Sequence, residues 1–192
     1  MSERSGLLVA VFICCAVFAA AMVAGVAVTG LEGTIGDLAR EQVEQISEEL
    51  AGQITGADPL SLALLIFANN LRACIFLFLG GASFGLFTLL VLGLNGALIG
   101  AIVQMRIPEK GALWVAAALI PHGIFEIPAI LISSGMGLLL AEELWLELQG
   151  SGDAGRAAGI IGAQFVSRVI PLLAVAALIE AFITPQIVNL IL

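Results

Sequence analysis

Charge is what this sequence has least of. Only 11% of its 192 residues are Asp, Glu, Lys or Arg, with a single lysine and a single histidine, against 60% hydrophobic residues. Soluble domains carry roughly 25% charged and 45 to 50% apolar residues. Together with a mean hydropathy of +1.12, this scarcity excludes a water-soluble core. Cysteine is also sparse. Cys14, Cys15 and Cys74 all lie in apolar runs, and without spaced partners they offer neither a disulfide framework nor a zinc site, leaving packing as their role. No cofactor is expected. The charge that is present is mostly acidic, 15 acids to 7 bases for a net −8, so nucleic acid and anionic lipid are poor partners. The acid-rich, lysine-poor polar stretches are the composition of a high-salt host such as a halophilic archaeon.

What fills the chain is apolar sequence. Five runs of spanning length consume nearly all of it, which predicts an all-α polytopic transmembrane bundle of about five spans, forming a single integral membrane domain over residues 1–192 of a multi-pass protein of the cell membrane. The spans fall near 6–29, 60–79, 83–103, 112–141 and 157–184. The first is too long for a signal-peptide core and has no convincing cleavage site, so it is read as a retained helix. Lipid-anchor motifs are absent. Between the first two spans, an acidic amphipathic helix is expected near 34–55, with Ile35, Leu38, Val43, Ile46, Leu50 and Ile54 on one face and Asp37, Glu41, Glu44, Glu48 and Glu49 on the other. It serves as a capping connector or a docking surface. Asp58 followed by Pro59 is an N-cap and first-turn signal for the second span, and Gly80–Gly81 forms the short turn into the third.

The third span carries Gly85, Gly93, Gly96 and Gly100, of which Gly96 and Gly100 have the small-xxx-small spacing of close helix packing. Such contacts serve equally within a subunit or in a homodimer. The fourth span is longer than a bilayer needs and contains Pro121 and Pro128, which predicts a kinked or broken helix. The fifth passes Pro171 and stops before Pro185. Orientation is poorly determined, because an N-inside arrangement puts Arg4 and Arg156 on one side and Arg40, Arg106 and Lys110 on the other.

Eight polar residues stand inside apolar segments: Asn69, Asn70, Arg72, Asn95, His122, Glu126, Arg168 and Glu180. A charge near the centre of a membrane helix costs roughly 2.5 to 3.5 kcal/mol even on insertion scales, so Arg72, Glu126, Arg168 and Glu180 need compensation. At about 1.5 Å per residue most of the set falls at similar depth, with Glu180 nearer the surface. Arg168 and Glu180, twelve residues apart on one helix, cannot pair with each other. The expected pairs are Glu126 with Arg168 and Arg72 with Glu180, with the asparagines bonding backbone freed at the kinks. His122 and Glu126, at i and i+4, share a helix face and are weak candidates for metal ligands or for a base with its orienting carboxylate. With no second histidine and no His-Glu-x-x-His element, metalloprotease chemistry lacks its parts. Ser133, Ser134 and Ser167 are expected to bond back to their own helices.

The run Pro-His-Gly-Ile-Phe-Glu-Ile-Pro-Ala at 121–129 resembles the most distinctive element of the stage II sporulation protein M family. Asn-Asn-x-Arg at 69–72, the glycine-rich third span with Asn95, and Ile-Glu-Ala-Phe-Ile-Thr-Pro at 179–185 occur in that family's order. The resemblance covers roughly residues 60–190. It implies an accessory membrane protein, which in sporulating bacteria belongs to a complex with cell-wall hydrolases. Three functions follow as expectations: a non-enzymatic scaffold or accessory subunit that associates with other membrane proteins in the lipid bilayer; a transporter or channel for an ion or small solute built on His122, Glu126 and Arg168; and, least favoured, an intramembrane hydrolase.

Overall fold

The computed structural model describes residues 3–54, 56 and 58–191. The side chains of Arg4, Leu50 and Ile54, which entered the sequence reading, lie outside the described residues. The helices are α1 (Glu3–Thr29), α2 (Thr34–Ile54), α3 (Pro59–Leu79), α4 (Leu86–Lys110), α5 (Ala112–Leu148), α6 (Ala154–Phe182) and α7 (Thr184–Asn189), with a 3-10 turn at Gly80–Ser83. Among the described residues, five stretches are long and apolar enough to cross a membrane: Gly6–Thr29, Pro59–Ser83, Leu86–Lys110, Ala112–Leu148 and Ala154–Asn189. This is an all-helical membrane protein, its outer surface studded with residues such as Leu8, Phe12, Leu64 and Leu86 that are more than half exposed and suit contact with acyl chains.

Two boundaries differ instructively from the sequence reading. α4 runs seven residues past 103, through Pro108 near its end, and α5 reaches Leu148 rather than 141. The polar residues Arg106, Glu109, Glu142 and Glu147 end an apolar run without ending a helix, because the backbone bonds continue past the hydrocarbon. α5 is also unbroken at Pro121 and Pro128, although each proline removes one donor, leaving the Ala117 and Ile124 carbonyls without their usual partners.

Hydrophobic burial gives helices little reason to associate in lipid, so contact depends on close packing and buried polar links. Glycine supplies the closeness between α1 and α4, which run the same way. A Cβ at Gly100 would lie 2.0 Å from the Met22 carbonyl oxygen, at Gly96 2.7 Å from that of Phe18, and at Gly25 2.0 Å from that of Ala97. Gly93 meets nothing within 4 Å, and Gly85 has another duty: with φ +81 it is the left-handed N-cap of α4. α3, α4 and α5 join at a polar knot where Thr88 Oγ1 donates to the Leu77 carbonyl at 2.8 Å and Gly137 has no space for a side chain. Around these contacts lie Cys14, Cys74, Leu77, Leu92, Met136 and Val169, all fully buried.

α2 is fastened to the bundle by its charges. Arg106 on α4 makes a bidentate bond to Glu44 at 2.9 and 3.0 Å and also holds Glu109 at 2.9 Å. Arg40 donates to the Thr29 and Leu31 carbonyls at 2.5 and 3.1 Å, where the C-terminal end of α1 favours a cation. Val43 and Ile46 line a cleft of about 460 Å³ against α1 and α4; Ile46 is still 42% exposed, and Ile35 and Leu38 are more so.

At the start of α3, the Asp58 carboxylate accepts from Leu60 N, Ser61 N and the Ser61 hydroxyl at 3.0, 3.2 and 2.5 Å. The Ser61 hydroxyl, and then its amide, hold the carboxyl below its ordinary value. A depressed folded-state value makes the cap complete above the unfolded-state pKa and lost as pH falls through the folded one. Amide-exchange protection at Leu60 and Ser61 should therefore drop on acidification, and should be low at all pH values in Asp58→Ala.

For the packing, Gly100→Ala should cost about 1–3 kcal/mol through overpacking and lower the melting temperature of detergent-purified protein, while Gly93→Ala should not. Equal melting of the two variants would contradict the α1–α4 contact.

Candidate functional site

The polar residues of the spans separate into an inward and an outward set. Inward, the cluster is organised on α5. His122 and Glu126 lie one turn apart on the same face, and α6 brings Glu180 against them. His122 Nδ1 and Glu180 Oε2 touch, with side-chain exposures of 15% and 32%. Neither atom makes a hydrogen bond of good geometry with the other or with any further group among the described residues. Glu126 faces both members of this pair, and Asn70 of α3 lies beside its carboxylate. Cys74, one turn beyond Asn70, also faces Glu126. Thr184, four residues after Glu180 at the start of α7, is 5% exposed and its Oγ1 has no partner among the described residues.

Outward stand the two arginines. Arg72 is exposed and donates to Asn69 Oδ1 at 3.1 Å. Arg168 is exposed and takes part in no ion pair or hydrogen bond among the described residues. Both expected pairs, Glu126 with Arg168 and Arg72 with Glu180, are therefore corrected. The reason is angular. Successive residues turn by about 100°, so Asn70 and Arg72 point to nearly opposite sides of α3, and Arg168 and Glu180 are about 120° apart around α6. With Asn70 and Glu180 turned to α5, neither arginine can follow. Glu180 is also deeper than expected, since it meets His122 ten residues into α5, about 15 Å from its start.

The remaining polar residues satisfy themselves locally. Asn95 donates to the Val91 carbonyl of its own helix at 2.8 Å, rather than to a kink on another. Ser133 and Ser134 bond back to Ala129 and Ile130 at 2.8 Å, and Ser167 to Gln164 at 3.2 Å. No group of three or more His, Cys, Asp or Glu side chains among the described residues is arranged to hold a metal ion. Sequence reasoning passed over Thr184 and Cys74. The signal for Cys74 was its i+4 spacing from Asn70 on α3, and that for Thr184 its position four residues after Glu180.

A bundle of apolar helices with ionisable side chains gathered in its interior is an integral membrane protein of polytopic type. The chain belongs to the Stage II sporulation protein M family, whose model matches residues 8–185. It is similar to two uncharacterized proteins of Methanocaldococcus jannaschii. It is 31% identical over 132 residues to MJ0793, covering 66% of this chain and 73% of that protein, and 31% identical over 106 residues to MJ0706, covering 55% of this chain and 45% of that protein. The chain thus spans under half the length of MJ0706. No solved structure matches it significantly.

Removing one member of a buried charge pair leaves the other uncompensated, at a cost of roughly 3–5 kcal/mol. Glu180's partial exposure puts the expectation at the low end, about 3 kcal/mol for His122→Leu, with partial recovery in the His122→Leu, Glu180→Leu double variant. Thermal melts in detergent test this. Additive losses would mean that the two side chains do not interact.

Proposed function

We propose that this protein is a non-enzymatic subunit of a membrane assembly, a scaffold or accessory component whose partners neutralise Arg72 and Arg168. The observation that carries this reading is the placement of two exposed guanidinium groups at mid-span. Arg168 lies fourteen residues from each end of α6 (154 to 168 and 168 to 182), about 21 Å along the axis either way. Arg72 lies thirteen residues from the start of α3 (59 to 72), about 20 Å. Snorkelling suits arginines near helix ends; Arg168 is far from both of its ends, whereas Arg72 stands seven residues (72 to 79), about 10 Å, before the end of α3. Facing lipid, each would cost roughly 2.5–3.5 kcal/mol. A neighbouring membrane helix presenting a carboxylate or a cluster of carbonyls at that depth offsets the cost. The assembly we propose resides in the cell membrane, a reading supported by five apolar spans and a family of membrane proteins.

A second copy of the chain is one such neighbour. It would meet the α3 or α6 surface, because the Gly96 and Gly100 faces are occupied by α1 of the same chain. The second reading, a solute pathway, draws on the inward cluster. It loses Arg168 as a component, and α5 shows no unwound segment of the kind that lines midplane sites in transporters with broken helices.

Arg72→Leu and Arg168→Leu, singly and together, should leave the melting temperature of the detergent-purified chain unchanged or raised. In discs cut directly from cell membranes by polymer, wild type should migrate as an assembly and the double variant as a chain of 19.8 kDa. A wild type extracted only as the single chain, or a double variant that keeps the assembly, would defeat the proposal.

A further inference from the structure

We infer that His122, Glu126 and Glu180 form a proton-binding site within the bundle, whose three groups exchange protons as one unit. The first ground is the charge inventory. Two carboxyl groups and one imidazole come together, and no basic residue among the described side chains pairs with them. Arg72 and Arg168 are exposed on other faces of α3 and α6, and Arg106 is engaged with Glu44 and Glu109. The groups that act on the cluster are Asn70 and Cys74 from α3, Glu180 from α6, and His122 and Glu126 on α5 itself. None brings a fixed positive charge.

The second ground is contact. His122 Nδ1 and Glu180 Oε2 touch, and a ring nitrogen and a carboxylate oxygen that both presented lone pairs would repel. One proton therefore lies between them. A second carboxyl group is nearby, because Glu126 lies one turn from His122 on α5 and within electrostatic range of both partners. A proton arriving at any member changes the charge seen by the other two across a low-dielectric interior, so the steps belong to the cluster and not to a single residue.

This inference goes beyond the scaffold reading and does not depend on it. The assembly is argued from the outward arginines, the proton site from the inward acids.

Because His122 is the only histidine, imidazole labelling gives a single-site reporter in the intact chain. The experiment records the 15N signals of histidine-labelled protein in lipid nanodiscs from pH 4 to 10, alongside the infrared carboxyl bands of the same samples. In wild type the imidazole signal and a carboxyl band should change together with common midpoints. Glu126→Gln and Glu180→Gln should each move the imidazole midpoint by about one pH unit or more, the threshold of strong coupling, and Arg168→Gln should leave it in place. Asn70→Ala removes the group beside Glu126 without altering charge, and it serves if the glutamate variants do not fold; it too should shift the midpoint. An imidazole that titrates alone and ignores Glu126→Gln, Glu180→Gln and Asn70→Ala overturns the inference, as does a wild type in which neither signal changes over the whole range.

Discussion

The contact between His122 on α5 and Glu180 on α6 sets the rotation of two long helices, and much else follows from that rotation. An ionised or hydrogen-bonding side chain inside hydrocarbon must be turned towards a partner. Once Glu180 is turned to α5, helix geometry carries Arg168 about 120° away from it, to a face of α6 that is exposed. On α3 the same constraint operates through Asn70, which lies beside Glu126 and so directs Arg72 outward. Four charges that composition suggests should cancel within the chain are instead sorted, with acids and imidazole inside and guanidinium groups outside.

The glycine contacts serve this sorting. α1 and α4 approach so closely at Gly25, Gly96 and Gly100 that carbonyl oxygens occupy the space of absent side chains, and the α3–α4–α5 knot at Thr88 and Gly137 fixes the height of α3 against α5. With that height fixed, Asn70 falls level with Glu126. α2 lies at the end of the bundle where α1 and α4 finish, held by Arg40 and Arg106. It is both a connector, through Val43 and Ile46, and an acidic surface, through Glu41, Glu48 and Glu49, which are exposed.

Much of the architecture was legible in the chain because the signals are local. Apolar runs of spanning length, the Asp58–Pro59 start of α3, the back-bonding serines and the shared face of His122 and Glu126 all depend on neighbours within a turn or two. The motifs at 121–129 and 179–185 were legible too, and the match over residues 8–185 shows the family they belong to. The pairings were not legible. Spacing showed that Arg168 and Glu180 face different directions, but choosing which faces inward requires the packing of α5 on α6. Depth alone favoured opposite charges at similar levels. Angle, which composition does not carry, decided otherwise, and α5 stayed helical through two prolines because its neighbours hold it on both sides.

The central claim is this division of inward acids and outward arginines. Spin labels introduced one at a time at positions 72, 126, 168 and 180, in purified protein reconstituted as single chains in lipid, read it directly through their accessibility to dissolved oxygen, which concentrates in the acyl region. The account predicts high oxygen access and free motion at 72 and 168, with restricted motion and low access at 126 and 180. A buried, immobile label at 168 together with an exposed one at 180 would contradict it.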